Sequence, residues 1–110
     1  PAAVARLRAT GCAIAIVTLA EAGSLIDDGR RQYVIPAYAT DAIDPTGAGD
    51  TYMAGFVHAY LRNPHDLLLA GCTGAATASI WIEHSGPDAP ITPGEVERRT
   101  AALLAKEARR

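Results

Sequence analysis

The chain has 110 residues, 49% apolar and 20% charged, which suits one globular domain and excludes a disordered or fibrous chain. A formal net charge of −2 leaves no basic footprint for nucleic acid or for an anionic membrane surface. Cys12 and Cys72 are too far apart for a metal cluster or a disulfide framework, and in apolar surroundings they read as inert buried thiols, which fits a reducing, cytoplasmic compartment.

Residues 2–10 carry a short helical pattern that Gly11 is placed to stop. Residues 12–19 form a compact apolar run with Ile14, Ile16 and Val17, and continuous rather than alternating hydrophobicity predicts a strand covered on both faces, as in a parallel sheet. The loop Thr18-Leu19-Ala20-Glu21-Ala22-Gly23 then falls at the carboxyl end of that strand, where open α/β sheets bind ligands. Residues 24–27 and 31–35 read as two short strands joined by an Asp28-Gly29 hairpin turn, and Pro36 closes the second. Extended chain follows to residue 43.

Asp44-Pro45-Thr46-Gly47-Ala48-Gly49-Asp50 comes next, immediately before an uninterrupted helical pattern. The first turn of a helix has amide N–H groups without internal partners and the positive end of the dipole. A small-residue turn feeding it therefore presents donors to phosphate or to a developing oxyanion. Asp50 opposes the charge such a pocket attracts, which makes sense if it takes a proton from an attacking hydroxyl. Taken alone, the same residues also suit a plain helix cap. A Walker A loop is excluded because no lysine is near, and G-x-G-x-x-G from Gly47 fails at Tyr52.

The helix from Ala48 runs to about Arg62, with Met53, Phe56, Val57, Tyr60 and Leu61 as the predicted core-facing stripe and Ala54 and Gly55 permitting close packing on a sheet. Asn63 as N-cap and Pro64 at the first position predict a second helix to about Ile82. Its uncharged stretch, 67–82, is short for a membrane span and is broken by Gly71, Thr73, Gly74 and Thr77, so it reads as a buried helix. Trp81 is expected to be a core anchor. After a loop over 83–90, Thr92-Pro93-Gly94-Glu95 forms a capping box for a last helix to about Lys106, with Val96, Leu103 and Leu104 inward. Arg109 and Arg110 read as a solvated tail. His58, His65 and His84 lack metal-ligand spacing, and no G-x-S-x-G elbow is present.

The stretch from Asp44 through Asp50, continued by Thr51-Tyr52-Met53 and Ala54-Gly55-Phe56-Val57, resembles the C-terminal signature of PfkB/ribokinase-family carbohydrate kinases at every position. The resemblance implies an α/β fold of the ribokinase-like (Rossmann-like) three-layer αβα kind, here a C-terminal fragment with sheet strands, a β-hairpin and three helices. Residues 1–110 would then be the C-terminal portion of a single kinase domain whose substrate-binding and lid half is absent, in keeping with a start at Pro1. The implied activity is ATP-dependent phosphorylation of a sugar or similar small alcohol, with Mg²⁺ bridging the nucleotide phosphates. Asp50 would be the general base, and Gly47, Ala48 and Gly49, with the Asp50 amide, the anion hole.

Further residues match family positions. Thr18 and Gly23 match the T-x-G-x-x-G segment that borders the nucleotide phosphates, with Ala20 in place of the first glycine. Residues 72–76, including Cys72 and Ala76, match the stretch facing the adenine. The Asp44 carboxylate and Thr46 carbonyl match a monovalent-cation site that lies between this segment and the 83–90 loop, with K⁺ the expected ion; an Asp44 that bonds its own backbone in a turn is the alternative. ATP and a small sugar-like substrate are the expected partners, without nucleic acid or membrane, and a lid-mediated homodimer would use residues outside this stretch. By itself the fragment is expected to be inactive. A nucleotide-binding module without activity, and a vitamin or nucleoside kinase of the same superfamily, are the alternatives.

Overall fold

The computed structural model of the chain describes residues 2–85 and 89–108. A short helix, α1 (Ala2–Ala9), leads through Gly11 into three strands, β1 (Ala15–Thr18), β2 (Ser24–Asp27) and β3 (Gln32–Ile35). An irregular stretch over 36–47 then feeds three longer helices, α2 (Ala48–Arg62), α3 (Leu67–Ile82) and α4 (Pro93–Ala108). The sheet lies between α1, which packs on β1 and β2, and α3, which packs on β2 and β3.

Strand direction departs from expectation. β1 pairs antiparallel with β2, Val17 opposite Leu25, and β2 pairs antiparallel with β3, Ile26 opposite Tyr33. The apolar run over 12–19 reports only that both faces of the strand are covered. Ala15 and Val17 pack with Leu25 and Cys12, whereas Ile14 and Ile16 join the main core with Ile26 and Ile35. An antiparallel strand between two helical layers meets that condition as well as a parallel one. The predicted hairpin forms, with its turn displaced by one residue. The Asp28 amide donates to the Arg31 carbonyl at 3.2 Å, which leaves Gly29 and Arg30 as the central pair. Gly29 sits at φ +90°, as the first central residue of a mirror-image hairpin turn requires.

The core face of α2 differs from the predicted stripe. Tyr52, Gly55, Phe56 and Ala59 are buried, Tyr60 is half-buried, and Met53, Val57 and Leu61 are exposed. Gly55 decides this rotation. A Cβ there would lie 2.5 Å from Thr77 Oγ1 and 3.0 Å from the Thr73 carbonyl, so the missing side chain lets α3 dock against α2. The small residues thus serve helix–helix contact, and Ala54 is exposed. On α3, Gly74 answers against the Tyr52 carbonyl, and Gly71 makes room for Ile26 and Ile35 of the sheet. Tyr52, Phe56 and Tyr60 stack along the helix, with successive ring centroids 6.4 and 6.0 Å apart.

Helix ends follow local chemistry. Asn63 caps the end of α2, its amide donating to the Ala59 carbonyl at 3.0 Å, because Pro64 disfavours helix at the residue before it. The N-cap of α3 is Asp66, whose Oδ1 accepts the Leu69 amide at 2.9 Å. At α4, Thr92 Oγ1 accepts the Glu95 amide at 3.3 Å, but the Glu95 carboxylate turns to Arg98 and Arg99 and leaves the capping box half made. Leu103 is buried, and Val96 and Leu104 pack against the core as predicted. The Arg109–Arg110 tail lies outside the described residues. Burial pushes the Cys72 thiol up to about 12, consistent with an inert core cysteine. Cys12 is only half-buried, and its thiol donates to the Leu7 carbonyl. No described helix is long and apolar enough to cross a membrane.

Candidate active site

The turn before α2 is built around Gly47, which adopts φ +84°. A β-carbon there would meet Trp81 Nε1 at 3.0 Å, so both backbone and space call for glycine. Trp81 is half-buried, and its indole N–H donates to the Thr46 carbonyl at 2.6 Å. It anchors the turn and not the core. The Ile82 carbonyl accepts the amides of Ile43 and Asp44 at 2.7 and 3.0 Å. The end of α3 thereby fixes where α2 begins.

The Ala48 amide donates to the Pro45 carbonyl at 3.0 Å and is not available to a ligand. The Gly49 and Asp50 amides have no hydrogen-bond partner among the described residues, and a Cβ at Gly49 would meet nothing within 4 Å. Two unpaired donors at a helix N-terminus, with open space over a glycine, fit an anionic group. Asp50 is exposed in the same turn. Its carboxylate has no hydrogen bond among the described residues and does not line the adjoining cavity. Asp44 makes the turn contact that was its alternative reading. Oδ1 accepts the Thr46 amide at 3.0 Å, a bond that also holds the Asp44 carboxyl below its ordinary range. The loop expected to complete a cation site with Asp44 and Thr46 includes residues 86–88, outside the described residues.

A cavity of about 740 Å³ opens beside this turn, within the range of ligand sites. Ala48, Gly49 and Pro45 line one part of it, the loop residues Thr18, Ala20 and Gly23 another, and Ala75, Ala78, Ser79 and Ile82 of α3 form a wall. The structure thus brings together Thr18, Gly23 and Gly49 of the predicted set. Cys72 and Ala76 do not belong. Both are fully buried toward the core, and the cavity face of α3 is the neighbouring stripe at positions 75, 78, 79 and 82. That stripe has helical spacing, so its pattern was in the sequence; which of two small-residue faces turned outward was not.

Ala20 holds φ +50°, the left-handed region that costs a non-glycine residue about 1–2 kcal/mol. The loop keeps this shape despite having alanine and not glycine at position 20, and the Leu19 amide ties it to the Gly23 carbonyl at 2.7 Å. Gly23 has no freedom at all, since a Cβ would fall 2.1 Å from the Ile35 carbonyl. Ser24 Oγ and Tyr52 OH share a buried 2.8 Å hydrogen bond at the floor, where burial pushes the Tyr52 phenol up to about 12.

The sequence reading missed Tyr38, Thr40, Ser79 and Lys106, which also line the cavity. Only Lys106 carries a signal, as the single lysine of the chain. Among the described residues, no group of three His, Cys, Asp or Glu side chains could hold a metal ion. A Mg²⁺ ion that keeps its waters and binds mainly through phosphates needs no such cluster.

Residues 2–93 match the pfkB family carbohydrate kinases. Over 99 residues the chain is 41% identical to a nucleoside kinase of Methanothermobacter thermautotrophicus, covering 86% of this chain and 31% of that protein. The solved nucleoside kinase of Methanocaldococcus jannaschii, an archaeal member of the ribokinase family, superposes with a TM-score of 0.75 at 40% identity, over 82% of this chain and 30% of that one. The nucleoside kinase of Burkholderia thailandensis in complex with ADP-inosine gives 0.80 at 27% identity, over 92% of this chain and 32% of its own. The chain therefore spans about a third of the length of these relatives, and its fold is part of the ribokinase-like α/β architecture.

Proposed function

The chain belongs to the pfkB family of carbohydrate kinases, and we propose that it is the C-terminal portion of a kinase domain that moves a phosphoryl group from ATP to a hydroxyl of a sugar or nucleoside. The observation that carries this reading is the pair of unpaired amides at Gly49 and Asp50, beside a carboxylate and at the mouth of a cavity of nucleotide size. The ADP-inosine complex of the Burkholderia relative supports a nucleotide as the occupant.

The amides of Gly49 and Asp50 hold the oxygens of the transferring group, with the α2 dipole behind them. The Asp50 carboxylate accepts the proton of the attacking hydroxyl. Trp81 and Ile82 hold the turn that carries these amides, so the anion hole does not have to form during the reaction. The α3 stripe of Ala75 and Ala78, without bulk, leaves a smooth wall for the flat part of the nucleotide. When bound, Mg²⁺ with ATP would supply the phosphoryl group and offset its charge. The acceptor contacts belong to a part of the domain beyond these residues, so these residues alone are expected to bind nucleotide without turnover.

The test is ATP consumption by the longer protein across a panel of sugars and nucleosides, beside its Asp50→Asn variant. One acceptor should drive turnover, and the variant should lose about 10²–10⁴-fold of it. ATP binding without turnover on any acceptor would replace this reading with that of a nucleotide-binding module.

A further inference from the structure

The irregular stretch over 36–47 supplies a whole side of the cavity through Tyr38 and Thr40, yet it belongs to no helix or strand. What holds it is α4. The Arg99 guanidinium lies 4.7 Å from the centre of the Tyr38 ring, and Arg98 reaches the Tyr38 hydroxyl at 3.4 Å. Thr40 donates to Glu83 Oε2, and Arg99 grips both oxygens of that carboxylate, at 2.7 and 3.0 Å. Arg99 also donates to Ser79 Oγ at 2.9 Å and to Glu95 Oε2 at 2.7 Å. Two cavity-lining side chains, Tyr38 and Ser79, thus touch one buried guanidinium directly and a third, Thr40, reaches it through Glu83, while Arg99 does not itself line the cavity. Arg99 lies beyond the segment that matches the family, which ends at residue 93.

We propose that Arg99 is a positioning residue for the nucleotide, acting through Tyr38 and Thr40; this inference rests on the reading of the cavity as the nucleotide site. The chemistry singles out arginine. A planar guanidinium donates in its plane to Glu83, Ser79 and Glu95 while its face stays free to cover an aromatic ring, and a lysine ammonium cannot do both. The wall so held is rigid before a ligand arrives, which removes an ordering cost from binding.

The test is made in the longer protein with Arg99→Lys and Tyr38→Leu, singly and together, and with Glu83→Gln as a milder second route to the same network. ADP affinity by calorimetry, KM for ATP, kcat and thermal stability are read for each. Arg99→Lys should weaken ADP binding and raise KM for ATP about tenfold, the scale of coupling within one network, with little change in kcat. Glu83→Gln should move the same two quantities in the same direction. The double variant should lose less than the product of the two single losses, since Arg99 acts in part through that ring and keeps only its route through Glu83 and Thr40 when the ring is gone. Variants that lose thermal stability but bind ADP like the parent overturn the inference, as do losses that simply multiply in the double variant. A parent protein that binds no ADP would overturn the reading of the cavity and this inference with it.

Discussion

Gly49 and Gly55 sit six positions apart on α2, and a methyl group added to each would meet opposite surroundings. At Gly55 it would press on Thr77 and on the Thr73 backbone; at Gly49 it would meet nothing within 4 Å. The second turn of α2 gives up its side chain so that another helix can approach. The first turn gives it up beside amides that have no partner in the chain itself. One residue type in one helix answers two demands, and only the surroundings separate packing from access to a ligand.

Substitutions can set the two turns against each other. Gly49→Ala should leave the fold intact, and even stabilise it by up to about 1 kcal/mol, because alanine outranks glycine inside a helix. If its methyl keeps a phosphoryl oxygen off one amide, turnover in the longer protein should fall about 10²-fold, the low end for a lost oxyanion donor. Steady-state rates measured beside a thermal melt check both halves. An active Gly49→Ala enzyme would mean that access to the first-turn amides does not depend on glycine at position 49.

Gly55→Ala should do the reverse. Overpacking against Thr77 is expected to cost about 1–3 kcal/mol in denaturant unfolding, with ADP affinity of the folded fraction preserved. Ala20→Gly probes the strain at φ +50° and should raise stability by about 1 kcal/mol, less whatever entropy glycine adds to the unfolded chain. A lowered melting temperature would mean that the Ala20 methyl contributes contacts exceeding the strain.

The smallest effect concerns acid. Hydrogen bonds from Arg98 and then Arg99 lower the Glu95 carboxyl to about 2, and the Arg99 hydrogen bond first of all lowers that of Glu83. Both folded values lie below the unfolded ones, so their contribution is fully present above about pH 4.5. It is lost as the pH falls from there toward about 2. Thermal melts should therefore be level from pH 7 to 5 as far as these groups are concerned, and decline below. Glu95→Gln should flatten part of that decline.

Much of this was legible in the chain because it is local. The Asp44–Thr46 turn contact, the Gly29 hairpin and the Thr92-Pro93 helix start depend on residues within a few positions, whose backbone preferences and caps act wherever the segment goes. Such preferences located the candidate anion hole within residues 47–50, and the fold narrowed it by bonding the Ala48 amide to the Pro45 carbonyl. They could not orient what packs around it. The α2 helix carries apolar or small residues on two faces, and Gly55 against Thr77 decided that Phe56 and Tyr52 go inward while Met53 and Leu61 stay out. The same choice between adjacent faces of α3 put Ala75 and Ala78 on the cavity and buried Cys72 and Ala76. Trp81 left the core because the Thr46 carbonyl, far back in the chain, was there to accept its N–H. Arg99 reads in the sequence as one more charge on an outer helix face; its four hydrogen bonds and its ring exist only once α3, α4 and the 36–47 stretch meet. Local order follows from each residue's own backbone and immediate neighbours, and partners distant in sequence are chosen by burial and complementarity that only the assembled fold supplies.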